Sequence, residues 1–194
     1  MDEVVILLLA AGASSRMRGA DKLLQRVDGE ALLRRQARAA LATGCRVLVA
    51  LPPQAGPRGT ALDGLEVERV AVADAAAGMG HSIAAGARAA AGVAGLMVVN
   101  ADMPGLGAAE LRAVLDAAEA GPGRIWRGMS ASGVPGHPVL FPARLLGDLA
   151  GLTGDQGARA LIAREGAVLV PLPGDAAVLD LDTPEDWAAW QAGR

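Results

Sequence analysis

One stretch limits what this chain can fold into more than any other: LLLAAGASSRMRGADK, from Leu7 to Lys22. Val4 to Leu8 is an unbroken apolar run with β-branched residues in it, the mark of a strand buried on both faces, as in a parallel sheet. The residues that follow are small: Ala10, Ala11, Gly12, Ala13, Ser14, Ser15. Small side chains let backbone amides approach a ligand, and Gly12 can take dihedrals closed to other residues. Arg16 and Lys22 come next, with Gly19 between them. A loop of accessible amides flanked by two cations suits a polyphosphate. The same residues also fit an ordinary strand-to-helix turn with two surface cations.

Further along, buried strands are predicted over 46–51, 66–71, 95–100, 168–172 and 178–181. Shorter ones are predicted over 23–27, 124–127 and 139–141, with Asp28-Gly29 as a turn. Helical spacing covers 30–43, 82–91, 108–120, 143–149, 157–165 and 185–191, with Ser82 placed as an N-cap and Pro184 at the start of the last helix. Residues 54–64 read as a loop. Strands alternating with helices predict an α/β fold: three α/β/α layers on a mostly parallel central sheet, as one domain over 1–194.

Composition removes several classes of function. Aromatic residues make up 2% of the chain, net charge is −3, and no basic cluster exists, so nucleic acid is not an expected partner. The first apolar run ends at Gly12, too short to span a bilayer, and the acidic Asp2 and Glu3 before it do not suit a secretory leader. The only cysteine, Cys45, opens an apolar run and is expected to be buried. A cytoplasmic protein with no membrane partner is expected. The opening loop lacks both the Gly-Lys-Ser/Thr ending of a P-loop and G-x-G-x-x-G, which disfavours a kinase or a dinucleotide dehydrogenase.

Ligands of open α/β sheets lie beyond the carboxyl ends of strands. Asp102 follows the 95–100 strand directly and precedes Pro104; it can serve a ligand there or cap the next helix. Asp180 and Asp182 alternate with Leu179 and Leu181 and so point to one side of the predicted 178–181 strand. One of them, or Thr183, can cap the last helix. If Asp102 and Asp182 converge, they make a carboxylate pair suited to Mg²⁺.

Leu9-Ala10-Ala11-Gly12-x-Ser14-Ser15-Arg16-Met17, Lys22, Asp102-Met103-Pro104 and Asp182-Thr183-Pro184 together resemble the nucleotidyltransferases of molybdenum cofactor biosynthesis. The branch they most resemble is the molybdenum cofactor cytidylyltransferases. Gly133 to Phe141, with its Pro135-Gly136-His137-Pro138 core, and Gly154-Asp155-Gln156-Gly157-Ala158-Arg159 extend the likeness over nearly the whole chain.

The resemblance implies a fold like that of the nucleotide-diphospho-sugar transferases, and a Mg²⁺-dependent transfer of CMP from CTP to the terminal phosphate of molybdopterin. It places the base and ribose on Leu9, Ala10, Ala11 and Gly12, with Ser14 and Ser15 in the same nucleotide-binding loop. Arg16 and Lys22 would hold the triphosphate; with Asp102 they form the implied catalytic set. Asp102 and Asp182 would hold the metal, with Asp180 beside them. Gly80, His81 and Ser82 would line the nucleotide and acceptor pocket, and Gly136, His137 and Pro138 the pterin side. His137 can equally be a loop histidine bonded to backbone, and Asp155 a helix N-cap. The implied partners are an NTP, a molybdopterin-type cofactor and a molybdoenzyme that receives the product.

Two features depart from the pattern. Arg16-Met17-Arg18-Gly19 and the six-residue step to Lys22 are closer to the guanylyltransferase branch, whereas Ala10-Ala11-Gly12 is closer to the cytidylyl one. Arg18 can be a third phosphate contact or a surface cation. The alternatives are a guanylyltransferase on the same cofactor, a nucleotidyltransferase for another phosphorylated small molecule, and a non-catalytic cofactor carrier.

Overall fold

The structure, a computed structural model, describes residues 3–154 and 157–193. Asp155 and Gln156, and with them the expected N-cap at Asp155, lie outside the described residues.

The chain opens with β1 (Val4–Leu9), whose four central residues are fully buried. Two short 3₁₀ turns, Ser15–Met17 and Lys22–Leu24, lead to a hairpin of β2 (Arg26–Val27) and β3 (Glu30–Ala31). Asp28 and Gly29, with φ of 53° and 83°, make the predicted turn between them. This hairpin takes Glu30 and Ala31 out of the helix expected over 30–43, so α1 runs Leu32–Leu41. Then come β4 (Arg46–Leu51), α2 (Gly56–Ala61), β5 (Glu68–Ala71), α3 (Met79–Ala89), β6 (Gly95–Asn100) and α4 (Ala108–Ala118). The second half holds β7 (Trp126–Met129), β8 (Pro135–Pro142), α5 (Leu146–Ala150), α6 (Arg159–Glu165), β9 (Val168–Pro171) and α7 (Pro184–Ala192).

Among the described residues, seven strands form one sheet in the order β5-β4-β1-β6-β8-β7-β9. β5, β4, β1 and β6 run parallel, β8 is antiparallel to both of its neighbours, and β9 runs parallel to β7. The alternation of side chains along β1 divides the core into two layers. Ile6 and Leu8 pack with Leu33 and Ala37 of α1 and Leu111 and Val114 of α4. Val5 and Leu7 pack on the other face with Ile83 and Ala87 of α3, Leu149 and Leu161. The expected three layers, with a mostly parallel sheet, are therefore present. A smaller cluster of Met17, Val27, Leu32, Leu181 and Trp187 pins the opening loop to the last helix.

Four expectations fail. The 54–64 loop contains α2, whose Gly56-Pro57 start disguises it as a turn. Residues 178–181 form no strand: the amides of Val178 and Leu179 donate to the Asp175 carbonyl, closing a turn, and the Leu181 amide reaches the Asp102 carbonyl at 3.3 Å. The reading of Asp180 and Asp182 from strand alternation falls with it. Ser82 is not an N-cap, because α3 already begins at Met79; Gly78, at φ 123°, takes the cap, and Ser82 is buried inside the helix. Cys45 is half-buried rather than buried.

Candidate functional site

The carboxyl ends of β1 and β6 lie side by side, with Leu9 paired to Asn100. The chain therefore enters the small-residue loop and the Asp102 segment at the same edge of the sheet. Lys22, on the second 3₁₀ turn, reaches across this edge. Its Nζ donates to Asp102 Oδ2 and, at 2.6 Å, to Asp182 Oδ1, while Arg16 Nη1 donates to Asp182 Oδ2 at 2.6 Å. Lys22, Asp102 and Asp182 side chains are 16%, 14% and 16% exposed, so these charges meet largely out of water. Burial opposes the Lys22 charge, but Asp102 and Asp182 outweigh it and raise the lysine's pKa. Asp102 Oδ1 is buried with no partner. Asp180 is exposed, and its pKa is raised by partial desolvation and by the charges of Asp182 and Asp102.

Neither acid is spent on a helix cap. Gly107, backed by Glu110, caps α4 in place of Asp102, and Thr183 caps α7 by accepting from the Asp186 amide at 3.1 Å. Instead the Asp102 segment is braced from α1. Gln36, fully buried, donates to the Met103 carbonyl at 3.1 Å, and Arg35 donates to that of Pro104 at 2.8 Å. Met17 and Leu181, in the small third cluster, hold Arg16 and Asp182 in register from below.

In the loop itself, Ala10 and Ala11 are buried and Gly12 is exposed. A Cβ on Gly12 would meet nothing within 4 Å, so packing within the protein does not demand glycine there. The open space above it is room for a ligand. Ser14 sits at φ 51°, a left-handed conformation of the kind concentrated at functional loops.

Beside the acids lies a cavity of about 310 Å³ between α3, β8 and the segment before α6, lined in part by Asn100, Arg127, Gly136, His137 and Asp180. A Cβ on Gly136 would overlap the Ala177 carbonyl oxygen, so only glycine lets this wall close. The backbone amide of His137 donates to the same carbonyl at 2.7 Å. His137 Nδ1 stands 3.3 Å from the Val98 carbonyl. A carbonyl only accepts, so Nδ1 carries the hydrogen and Nε2 keeps its lone pair. Burial pushes the His137 pKa down, which holds the ring neutral. The histidine is thus bonded to backbone and lines the cavity at once, from within β8 and not from the expected loop.

The other expected residues fall in different places. Leu9 ends β1, Ala10 through Ser14 form the loop, Ser15 and Arg16 lie on the first 3₁₀ turn and Lys22 opens the second, and Asp102 and Asp182 meet through Lys22. Met79 and Ile83 line the cavity, whereas Gly80, His81 and Ser82, from the same helix, do not. Gly80 backs onto Thr153 and Gly154, its amide donating to the Gly154 carbonyl at 2.9 Å. Pro138 is buried behind the cavity wall. Arg18 is an exposed cation that pairs with Glu185 at 2.7 Å.

Sequence reasoning missed Arg58 and Arg127. Arg127 lines the cavity, and its pKa is lowered by burial and by the nearby Arg159 charge. Its place at the end of a predicted strand beside the Gly136 loop was the only available signal. Arg58, in a stretch read as loop, carried none.

No curated protein matches this sequence. The crystal structure of Rv0371c from Mycobacterium tuberculosis H37Rv superposes with a TM-score of 0.83 at 28% identity, over 98% of both chains. The manganese complex of Rv0371c from the same organism superposes at 0.80, with 26% identity over 99% of this chain and 100% of that one. A nucleotidyl transferase from Methanothermobacter, 22% identical, shares the fold with a TM-score of 0.77 over 100% and 98% of the two chains. The model of the MobA-like NTP transferase domain matches residues 6–168, which take in β1 from Ile6 onward, the loop, Arg16, Lys22 and Asp102. With a nucleotidyltransferase's fold and this loop at the carboxyl end of β1, the chain belongs to the MobA-like NTP transferase family.

Proposed function

We propose that this nucleotidyltransferase moves CMP from CTP to the terminal phosphate of a molybdopterin-type cofactor, with a divalent cation, Mg²⁺ in the cell, and release of pyrophosphate. The observation that carries the reading is the convergence of Lys22 on Asp102 and Asp182, with Arg16 joining at Asp182; Lys22 and Asp182 lie 160 positions apart. Two cations and two carboxylates beside an open loop are the parts a metal–triphosphate needs.

The donor set fits a hard divalent cation: all oxygen, with Asp102 Oδ1 buried and unpartnered. Among the described residues no three acidic, histidine or cysteine side chains form a ready cage, so Asp102 and Asp182 would share the ion with phosphate and water. The manganese named in the Rv0371c complex supports a divalent ion here too. Such an ion, when bound, supplies charge neutralisation at the phosphates.

The rest is done by the chain. The Leu9–Gly12 backbone would seat the nucleoside. Arg16 and Lys22 would pair with the triphosphate and stabilise the charge that builds on departing pyrophosphate. The attacking phosphate oxygen is already ionised at neutral pH, which explains why no nucleophile–base pair is needed. The P–O bond to the leaving pyrophosphate breaks as the acceptor oxygen bonds to the α-phosphorus. In the neighbouring cavity Arg127 presents a cation, and neutral His137 presents an acceptor at Nε2, to the second substrate.

Pyrophosphate release with CTP and with GTP, each with and without molybdenum cofactor, tests this. Release dependent on CTP and cofactor is expected, and loss of it in Lys22→Ala and Asp102→Ala. The Arg16-Met17-Arg18-Gly19 spacing favours GTP as the second reading. Release only with GTP would establish it, and release only with sugar or alcohol phosphates would move the acceptor. Cofactor binding without turnover of any NTP would make the protein a carrier.

A further inference from the structure

We infer that Arg58 of α2 is the positioning residue of the nucleotide loop: its guanidinium locks the loop and the turn that presents Lys22 into one rigid body before any ligand arrives. The inference rests on the reading of this loop as the nucleotide site.

Arg58 is 6% exposed, and all five of its N–H donors are used. Nη1 donates to the carbonyls of Ala10 and Gly12, both at 2.7 Å. Nη2 donates to Ser14 Oγ at 3.0 Å and to Asp21 Oδ1 at 2.9 Å, and Nε donates to Asp21 Oδ2 at 2.6 Å. Ser14 Oγ closes the network by donating to Asp21 Oδ1 at 3.3 Å. Asp21 is also the N-cap of the Lys22–Leu24 turn, accepting from the Leu23 amide at 3.0 Å. One planar group therefore ties the nucleoside half of the loop to the phosphate half, although it lies 37 to 48 residues away in the chain from everything it binds there.

The direction of these bonds matters as much as their number. Arg58 takes the carbonyls of Ala10 and Gly12, while the amides of Ala11, Gly12 and Ala13 donate to no protein acceptor among the described residues. A brace serving stability alone would have no reason to leave those donors unused at an exposed glycine. With its carbonyls held behind and its amides free, the loop is set to donate to a ligand, and little ordering remains to be done on binding. A lysine cannot substitute: it has three donors on a point charge and no plane to divide between two carbonyls and a carboxylate.

The test compares wild type with Arg58→Lys and Asp21→Asn, the second removing the carboxylate charge and one of its two acceptor oxygens while leaving Arg58 on the carbonyls. Hydrogen exchange in the ligand-free protein should show protection lost at the bonded amides within 10–24 (Ala10, Met17, Ala20, Leu23 and Leu24) in Arg58→Lys, with the β4 and β6 amides unchanged. The KM for the NTP should rise about 10-fold or more, while kcat falls less than about threefold, because a loosened loop must be ordered at each encounter. Asp21→Asn should give a smaller rise in the same direction and keep the protein measurable if Arg58→Lys folds poorly. Wild-type exchange over 10–24 in both variants would overturn the inference, as would a KM unchanged in both. A wild type that turns over no NTP would sink the nucleotidyltransferase reading alone; the exchange comparison would still decide whether Arg58 locks the loop.

Discussion

On the proposed reading, Lys22 stands where the metal would go. Its ammonium bridges Asp102 and Asp182, the two carboxylates proposed to hold a divalent ion, so an ion bound there would displace it. Replacing Lys22 with methionine keeps the length of the side chain and removes the competitor. Each charge-assisted hydrogen bond at such a partly buried pair is worth about 1.5 kcal/mol net. Two of them forfeited on metal entry total about 3 kcal/mol, which sets a ceiling of roughly 100-fold on the competition, at about 1.4 kcal/mol per decade. Lys22 recovers part of this by finding water, so Lys22→Met should bind Mn²⁺ about 10- to 100-fold more tightly than wild type when no nucleotide is present. Electron paramagnetic resonance of unbound Mn²⁺ during a titration measures it directly. The same variant should melt lower in EDTA, because Asp182 is left with Arg16 alone and Asp102 loses its lysine partner, and should regain stability as Mn²⁺ is added. Adding NTP should close the gap, since triphosphate oxygens then give wild-type Lys22 a new partner. Equal or weaker Mn²⁺ binding by Lys22→Met would refute the reasoning and separate the metal site from these two acids.

Three further outcomes can be checked. Gly136→Ala should cost about 3 kcal/mol or more in chemical denaturation, because its methyl overlaps a backbone carbonyl that cannot swing aside, and the neighbouring cavity should lose its wall. His137 has a folded-state pKa below the ordinary 6.5, so its neutral form favours folding. That contribution is complete above about pH 6.5 and is lost as pH falls through the lowered value. Melting curves of wild type and His137→Gln should therefore diverge on acidification, wild type losing more stability. Gln36→Leu removes the donor to the Met103 carbonyl in the core and should destabilise by about 1–3 kcal/mol. If that bond also aims Asp102, kcat should fall in this variant while the KM for the NTP changes little.

How far the sequence could be read depended on the range of the interactions involved. β1, β4 and β6 were legible because each is buried on both faces and so apolar throughout, a local property. The turn at Asp28-Gly29 was legible for the same reason, since left-handed backbone selects those residues directly. α2 was not: six residues opening on Gly-Pro carry no helical period, and the helix is held by what Arg58 reaches, not by its own pattern. Residues 178–181 misled because alternation is a weak signal over four positions, and the Asp175 carbonyl captured the amides that a strand would have needed. Gly80, His81 and Ser82 are pocket residues only by what the family resemblance implies; of α3, it is Met79 and Ile83 that line the cavity of about 310 Å³.

Within the opening stretch, then, the sequence by itself determined a buried strand, a loop of small residues, and two cations close enough to serve one anion. Those follow from side-chain size, charge and spacing over sixteen residues. Only the tertiary structure decided that Lys22 meets Asp102 and Asp182, that Thr183 and not either acid caps the last helix, and that Arg58 stands behind the loop with its donors fully spent. Pairing of strand ends and the reach of a guanidinium across 48 residues depend on how layers pack, and packing is a property of the whole chain at once.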